Sequence, residues 1–184
     1  MFMGDRWSYP RQGSAATYVW QPITVKGDEM SIPVFQENWG VDGNSARWFP
    51  VKQKLKSIKA NACIKNGDWK SENGKYLAKD KGSLISFSFK GKQIGLKALS
   101  NSTSGYAKVT IRNNKNQIII STIVDFYSKY EYSSLKFLSP FMDRGNYELS
   151  VEVLGEHPKW SDKRFISYGS TNDYVVIEDV FFIR

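Results

Sequence analysis

The sequence predicts an all-β protein whose main domain is a β-sandwich of the jelly-roll type, with an N-terminal β extension. Three observations support this. Apolar and polar residues alternate strictly in residues 83–111, which is the period of a strand with one buried face. Aromatic residues make up 15% of the chain and mostly stand in short alternating runs. Turn-forming residues separate these runs at regular intervals, and residues 83–111 leave no room for an ordinary helix.

Residues 83–111 predict the middle of an antiparallel sheet. Ile85, Phe87 and Phe89 point to one side of the first strand, and Leu84, Ser86 and Ser88 to the other. A second apolar segment begins at Ile94, a polar loop follows at residues 101–105, and alternation resumes at Ala107.

Turn signals in the rest of the chain extend this pattern to about eight strands. They are Asn66-Gly67-Asp68, Glu72-Asn73-Gly74, Asn113-Asn114-Lys115-Asn116 and Arg144-Gly145-Asn146, and the final strand is predicted at residues 174–183. Residues 51–59 are ambiguous, and continued alternation at Ala60, Ala62 and Ile64 favours a strand over a helix.

Composition restricts the class of protein. A net charge of +8 allows binding to nucleic acid, anionic lipid or acidic polysaccharide, or simply reflects solvated lysines on strand edges. The single cysteine, Cys63, excludes an internal disulfide and is predicted to be a small core residue. No apolar run is long enough to cross a membrane, so no membrane partner is expected. Nucleic acid is an unlikely partner, because the sequence has no corresponding motif.

Residues 1–48 differ in residue pattern from the rest of the chain and are predicted to form an extension that docks on another surface. The sandwich is predicted at residues 49–184. Trp7, Trp20 and Trp39 are too many large aromatics for a free tail. Strands are predicted at residues 17–20 and in a run ending at Val34-Phe35. Residues 38–50 are predicted to be a linker, with Trp48-Phe49 anchoring it to the next domain.

The extension resembles the end of family 43 glycoside hydrolases. The motif Gly4-Asp5-Arg6-Trp7, the strand Tyr18-Val19-Trp20 with Pro22, and a closing Asn38-Trp39 match the galactan-degrading branch, where they close a five-bladed propeller. Gln21 stands where that pattern usually has leucine. The resemblance implies that the catalytic carboxylates lie in blades absent from this chain, and nothing pairs Asp5 and Glu37 as acid and base. No catalytic residue is therefore predicted.

Residues 64–184 resemble the galactose-binding-like jelly-roll modules attached to many secreted glycosidases and esterases, often as carbohydrate-binding modules. The segments ISFSFKGKQIGL, GYAKVTI, RGNYELSVEVLGE and YVVIEDVFF carry the resemblance in the right order. Such modules also precede serine esterases, but the sequence has no esterase nucleophile motif, and its only histidine, His157, gives no sign of a triad.

Aromatics near loops are the candidate sugar-binding residues, because an aromatic face stacks on the apolar face of a sugar while polar neighbours bond its hydroxyls. The alternative for each aromatic is a place in the core. The candidates are Trp69, Tyr127, Tyr130, Tyr132, Trp160 and Tyr168, with Asp125, Arg144, Asn172 and Asp173 as polar partners.

No cofactor is required by the sequence. The resemblance to these modules implies a structural calcium near the chain ends, for which Glu178 and Asp179 are the candidates. Calcium needs several oxygen ligands, and the sequence shows no compact acidic loop, so these residues alternatively mark a strand edge.

The sequence therefore predicts a non-catalytic module that binds a polysaccharide beside a family 43 catalytic domain, within a longer secreted or periplasmic protein. Two alternatives remain open. The module either braces the propeller without binding sugar, or binds polyanions through its lysines.

Overall fold

The computed structural model describes residues 1–6, 17–51, 55–58 and 63–184. It divides into two compact units, Met1–Lys54 and Leu55–Arg184. The predicted all-β class is confirmed: all regular elements of the described residues are strands, and these residues include no helix that could span a membrane. Predictions for Trp7, Ala60, Ala62 and residues 52–54 and 59 lie outside the described residues.

The first unit consists of three antiparallel hairpins. They pair β1 (Phe2–Arg6) with β2 (Thr17–Gln21), β3 (Thr24–Lys26) with β4 (Glu29–Ser31), and β5 (Trp39–Val41) with β6 (Trp48–Pro50).

Two predictions for this unit were wrong. The strand expected to reach Val34-Phe35 ends at Ser31, because Pro33 cannot donate a ladder hydrogen bond. The expected linker at residues 38–50 contains the β5–β6 hairpin. Its turn is stabilised by Asp42, whose carboxylate accepts the N–H groups of Asn44 (2.8 Å) and Ser45 (3.3 Å).

Gln21 stands where the family 43 pattern usually has leucine. It is a buried polar residue, and both polar groups of its side chain are hydrogen-bonded. Its amide nitrogen donates to the carbonyl of Gln36 (3.0 Å), and its amide oxygen accepts the N–H of Gln36 (2.7 Å). The side chain thus holds residue 36 beside β2 as a neighbouring strand would. The Trp39 indole also donates to the Trp20 carbonyl (3.0 Å).

The second unit is a sandwich of two antiparallel sheets. One sheet has the order β15-β12-β19-β10-β9, with β7 also paired to β19, and the other has the order β14-β13-β16-β11-β8. The strands of the first sheet are β7 (Lys56–Ser57), β9 (Lys70–Glu72), β10 (Lys75–Ala78), β12 (Gln93–Ser100), β15 (Tyr132–Leu138) and β19 (Val175–Ile183). Those of the second are β8 (Cys63–Asn66), β11 (Leu84–Gly91), β13 (Tyr106–Asn113), β14 (Ile118–Asp125) and β16 (Gly145–Val153). A separate hairpin pairs β17 (Lys159–Ser161) with β18 (Ser167–Gly169).

The inward faces of the two sheets form one hydrophobic core. The predicted inward residues Ile85, Phe87 and Phe89 are buried, as are Ala107, Val109 and Ile111 of β13. Cys63 is half-buried and packs against this core, in agreement with its predicted role. Burial of these aliphatic and aromatic side chains is the main favourable term in folding.

The sequence places residues 83–111 in one sheet, but the structure distributes them over both. The strands β11 and β13 belong to one sheet and are separated by β16, whereas β12 lies in the opposite sheet. Consecutive strands therefore cross between layers, as in a jelly roll. The predicted turn at Asn73-Gly74 joins β9 to β10, and both residues have positive φ (49° and 76°) as a tight hairpin turn requires.

Candidate functional site

Three loops meet at one end of the sandwich and are held together by backbone hydrogen bonds. Residues 101–105 lie in the centre. The carbonyls of Asn101 and Gly105 accept the N–H groups of Ser128 (3.2 Å) and Phe126 (3.1 Å). On the other side, the Ser102 carbonyl accepts the N–H of Thr171 (3.0 Å). These bonds give the loops after β14 and after β18 a fixed position.

An aromatic cluster lies on the loop after β14 and on the β17–β18 hairpin. We define it as Tyr127, Trp160 and Tyr168. The ring centroids of Tyr127 and Trp160 are 5.6 Å apart with a tilt of 59°, and those of Trp160 and Tyr168 are 5.7 Å apart with a tilt of 31°. Trp160 is 42% exposed and Tyr168 is 54% exposed, so the cluster offers aromatic surface to solvent. Three of the predicted sugar-binding aromatics therefore come together.

The β17–β18 hairpin presents Trp160 and Tyr168 side by side, because these two residues are directly opposite in the ladder. Its turn is closed by Asp162, whose carboxylate accepts the N–H groups of Arg164 (2.8 Å) and Ile166 (3.0 Å). At the hairpin end, Gly169 has a φ of 136°, and a Cβ there would lie 3.0 Å from the Cα of Lys159. Only glycine fits this position without strain.

The Asp125 carboxylate positions Tyr127, the third ring of the cluster, through a hydrogen bond to the backbone. Its carboxylate accepts the N–H of Tyr127 (2.8 Å), which fixes the chain where it leaves β14. Desolvation raises the pKa of Asp125 above its ordinary value, although the Tyr127 N–H and the charge of Lys136 act in the opposite direction. The predicted polar partner thus lies next to the cluster.

An open depression of about 350 Å³ adjoins Tyr168. Its described lining is His157, Lys159, Ser167, Tyr168, Gly169, Ser170 and Thr171. The predicted residue Asp173 is not among these lining residues, and its Oδ1 pairs with Nδ1 of His157 (2.6 Å). Asn172 is one position away and accepts the N–H of Asp173 (3.0 Å).

Sequence reasoning missed the polar residues of this depression: His157, Lys159, Ser167 and Thr171. The signal that would have found them is a hairpin pattern. Residues 162–166 are a turn between two three-residue strands, whereas Trp160 and Tyr168 were predicted only as aromatics near loops.

Other predicted aromatics have different surroundings. Trp69 is only 6% exposed and belongs to the hydrophobic core, so its prediction as a sugar platform was wrong. Tyr130 and Tyr132 are half-buried, and each ring has a lysine ammonium 5.6 Å from its centroid, Lys129 and Lys136 respectively. These cations already occupy one side of each ring.

Arg144 lies at the opposite end of the sheet from the cluster. It precedes β16, whose first residues pair near Asn113, whereas Asp125 pairs with Tyr106 at the other end of β13. Eight residues of extended strand span roughly 25 Å. Arg144 therefore cannot share a site with Tyr127, contrary to the prediction.

The calcium candidates Glu178 and Asp179 are engaged with other groups. The Glu178 carboxylate lies 2.8 Å from the Lys75 ammonium and 3.8 Å from that of Lys97, and Asp179 accepts the Ser57 hydroxyl (3.2 Å). Burial alone would raise the pKa of Glu178, but hydrogen bonds from Lys75 and Ser133 and the two lysine charges lower it. Two ammonium groups beside one carboxylate disfavour a divalent cation. Within the described ranges, no three His, Cys, Asp or Glu side chains converge as a metal site.

No protein-family model matches the chain, and no curated protein is significantly similar to it. Solved structures are similar in fold. A two-domain esterase active on acetylated mannans superposes with a TM-score of 0.52 and 9% identity, over 73% of this chain and 38% of the esterase. This likeness supports the β-sandwich assignment and nothing further.

Two other similar structures have lower TM-scores. The exo-β-1,3-galactanase from Phanerochaete chrysosporium has a TM-score of 0.44 and 16% identity, over 97% of this chain and 40% of the enzyme. The carbohydrate-binding module CBM36 in complex with calcium and xylotriose has a TM-score of 0.42 and 14% identity, over 70% of this chain and 99% of the module. The chain thus spans only about two fifths of the length of the esterase and the galactanase.

Proposed function

We propose that the second unit binds a carbohydrate chain at the cluster of Tyr127, Trp160 and Tyr168. The observation that carries this proposal is the contiguity of three aromatic rings on one loop and one hairpin, next to loops that are fixed by backbone hydrogen bonds. Of these rings, Trp160 and Tyr168 are about half exposed. Aromatic faces stack on the apolar faces of sugar rings, and a rigid platform loses little entropy on binding.

Within this proposal the chain is a non-catalytic accessory module. It acts as part of a longer secreted or periplasmic protein and holds a polysaccharide near a family 43 catalytic domain. This wider role is supported by the order of the motifs in residues 1–39. These motifs resemble the end of a family 43 propeller, and that resemblance implies that the catalytic carboxylates lie in other blades.

A second function, bracing of a catalytic domain, is favoured by the surface of the first unit. Tyr18 is 79% exposed and Trp20 is 55% exposed. Met3, Gly4 and Asp5 line an open depression of about 340 Å³ together with these two rings. Adjacent exposed aromatics of this size are typical of a docking surface.

Retention on immobilised polysaccharides tests the two functions. We expect the intact chain to be retarded by at least one neutral or acidic glycan and to elute with the free oligosaccharide. Trp160→Ala should lose this retardation. If the intact chain passes every glycan unretarded, the binding function is wrong and bracing becomes the better proposal.

A further inference from the structure

The depression beside Tyr168 has a distinctive chemistry. Its described lining combines one ammonium (Lys159), one imidazole (His157), the hydroxyls of Ser167, Ser170 and Thr171, and the Tyr168 ring, and it includes no Asp or Glu. The nearby Asp173 carboxylate is already bonded to His157 (2.6 Å) and is not part of this lining.

Such a lining suits a ligand that accepts hydrogen bonds. A neutral sugar presents hydroxyls that donate as well as accept, and carboxylate or amide oxygens are suitable acceptors for them. In this lining the Lys159 ammonium is a pure donor, with three donors and no acceptor, whereas the Ser and Thr hydroxyls both donate and accept, and no lining carboxylate neutralises the ammonium. The Ser170 hydroxyl is committed to the carbonyls of Asn172 (2.8 Å) and Ser102 (3.2 Å).

The charge on the β17–β18 hairpin also favours a negatively charged ligand. Lys159, Lys163 and Arg164 have no ion pair within the described part of the chain, and Asp162 is the one carboxylate between Lys159 and Gly169. Lys159 begins β17, whereas Lys163 and Arg164 lie in the hairpin turn, roughly 10 Å or more farther along the strand direction, so Lys159 is the cation of the three that lines the depression. Glu156 is the nearest further acidic residue in sequence and does not line the depression.

We infer that this depression is a subsite for an acidic sugar, a uronic acid unit within a polysaccharide. Tyr168 supplies the ring on which the sugar stacks, and the Lys159 ammonium pairs with the sugar carboxylate. The inference rests on the proposed function, because the subsite is continuous with the aromatic cluster through Tyr168.

The test compares two variants with the same change of charge. Lys159→Gln removes the ammonium at the subsite, and Lys163→Gln removes one from the hairpin turn as a matched control. Calorimetric titration of the full chain uses polygalacturonate, the same polymer fully methyl-esterified, and a neutral galactan. We expect Lys159→Gln to weaken binding of polygalacturonate about tenfold, as for loss of one hydrogen bond to a charged group. Lys163→Gln should change it little.

Each other outcome has a defined meaning. Equal weakening by both variants would overturn the subsite in favour of diffuse attraction between charges. Equal affinity for the esterified polymer would overturn the preference for an acidic sugar and leave the aromatic cluster as a binding site. If Trp160→Ala binds polygalacturonate as tightly as the unaltered chain, the proposed function itself fails. Thermal unfolding of each variant shows that a loss of affinity is not a loss of fold.

Discussion

At the scale of single residues, some side chains of this protein contribute to stability and others to binding. Asp68 contributes to stability. It connects the turn after β8 to the start of β11, because its carboxylate accepts the Ser83 hydroxyl and the N–H of Lys79 (3.2 Å). Burial would raise the pKa of Asp68, but these hydrogen bonds outweigh it and hold the pKa below its ordinary value of 3.8.

Asp68→Asn should destabilise the sandwich by about 1–3 kcal/mol at neutral pH, since hydrogen bonds to a charged group are lost. The folded pKa lies below the unfolded one, so this contribution is complete above about pH 4 and disappears as the pH falls through the folded pKa. Urea unfolding of both proteins between pH 2 and 7 checks this. A stability difference that stays constant over the whole range would contradict the role of the carboxylate.

Trp160 and Trp69 are a matched pair for separating binding from stability. Trp160→Ala should abolish glycan binding and cost about 1 kcal/mol or less, because the side chain is substantially exposed. Trp69→Ala should cost about 3–5 kcal/mol, because that side chain is buried in the core. Denaturant unfolding and glycan retention are measured on both. A large stability loss in Trp160→Ala would identify Trp160 as a packing residue.

At the scale of elements, the β17–β18 hairpin should fold as an accessory of the sandwich. It pairs only within itself among the described strands, and it contains two of the three cluster rings.

Gly169→Ala should therefore disturb binding more than stability. The added Cβ would contact the Pro158 carbonyl and the Lys159 backbone at a φ that L residues rarely adopt. We expect weakened glycan binding with the main unfolding transition nearly unchanged. Gly43→Ala, at a position where a Cβ meets no atom within 4 Å, is the control and should leave both unchanged. Near-ultraviolet circular dichroism reports on the aromatic cluster, and an unaltered spectrum with full binding would contradict the prediction.

At the scale of the whole molecule, the second unit contains its own core. The buried hydrophobic cluster and the side chains packed against it all lie between Ile58 and Phe182. A fragment of residues 55–184 should therefore unfold cooperatively, with a midpoint within about 4 °C of the full chain, equivalent to about 1 kcal/mol. Calorimetry of the fragment checks this. An unfolded or aggregated fragment would show that residues before 55 are required for the second unit to fold.

Much of the fold followed from local patterns. Alternation at Ile85, Phe87 and Phe89 predicted the buried face of β11, and Asn73-Gly74 predicted a hairpin turn, because strand period and positive φ are properties of a few neighbouring residues. For the candidate site, Tyr127, Trp160 and Tyr168 were predicted individually as loop aromatics.

The sequence by itself determined that this protein is all-β, which side chains face inward along its main strands, and where many of its turns lie. Only the tertiary structure decided that β12 lies in the opposite sheet from β11 and β13, and that Trp69 is buried while Trp160 is exposed. It also separated Arg144 from Asp125 and brought His157 to Asp173. The physical reason is that strand order and loop contacts depend on pairing between residues far apart in the chain, and local periodicity carries no information about such partners.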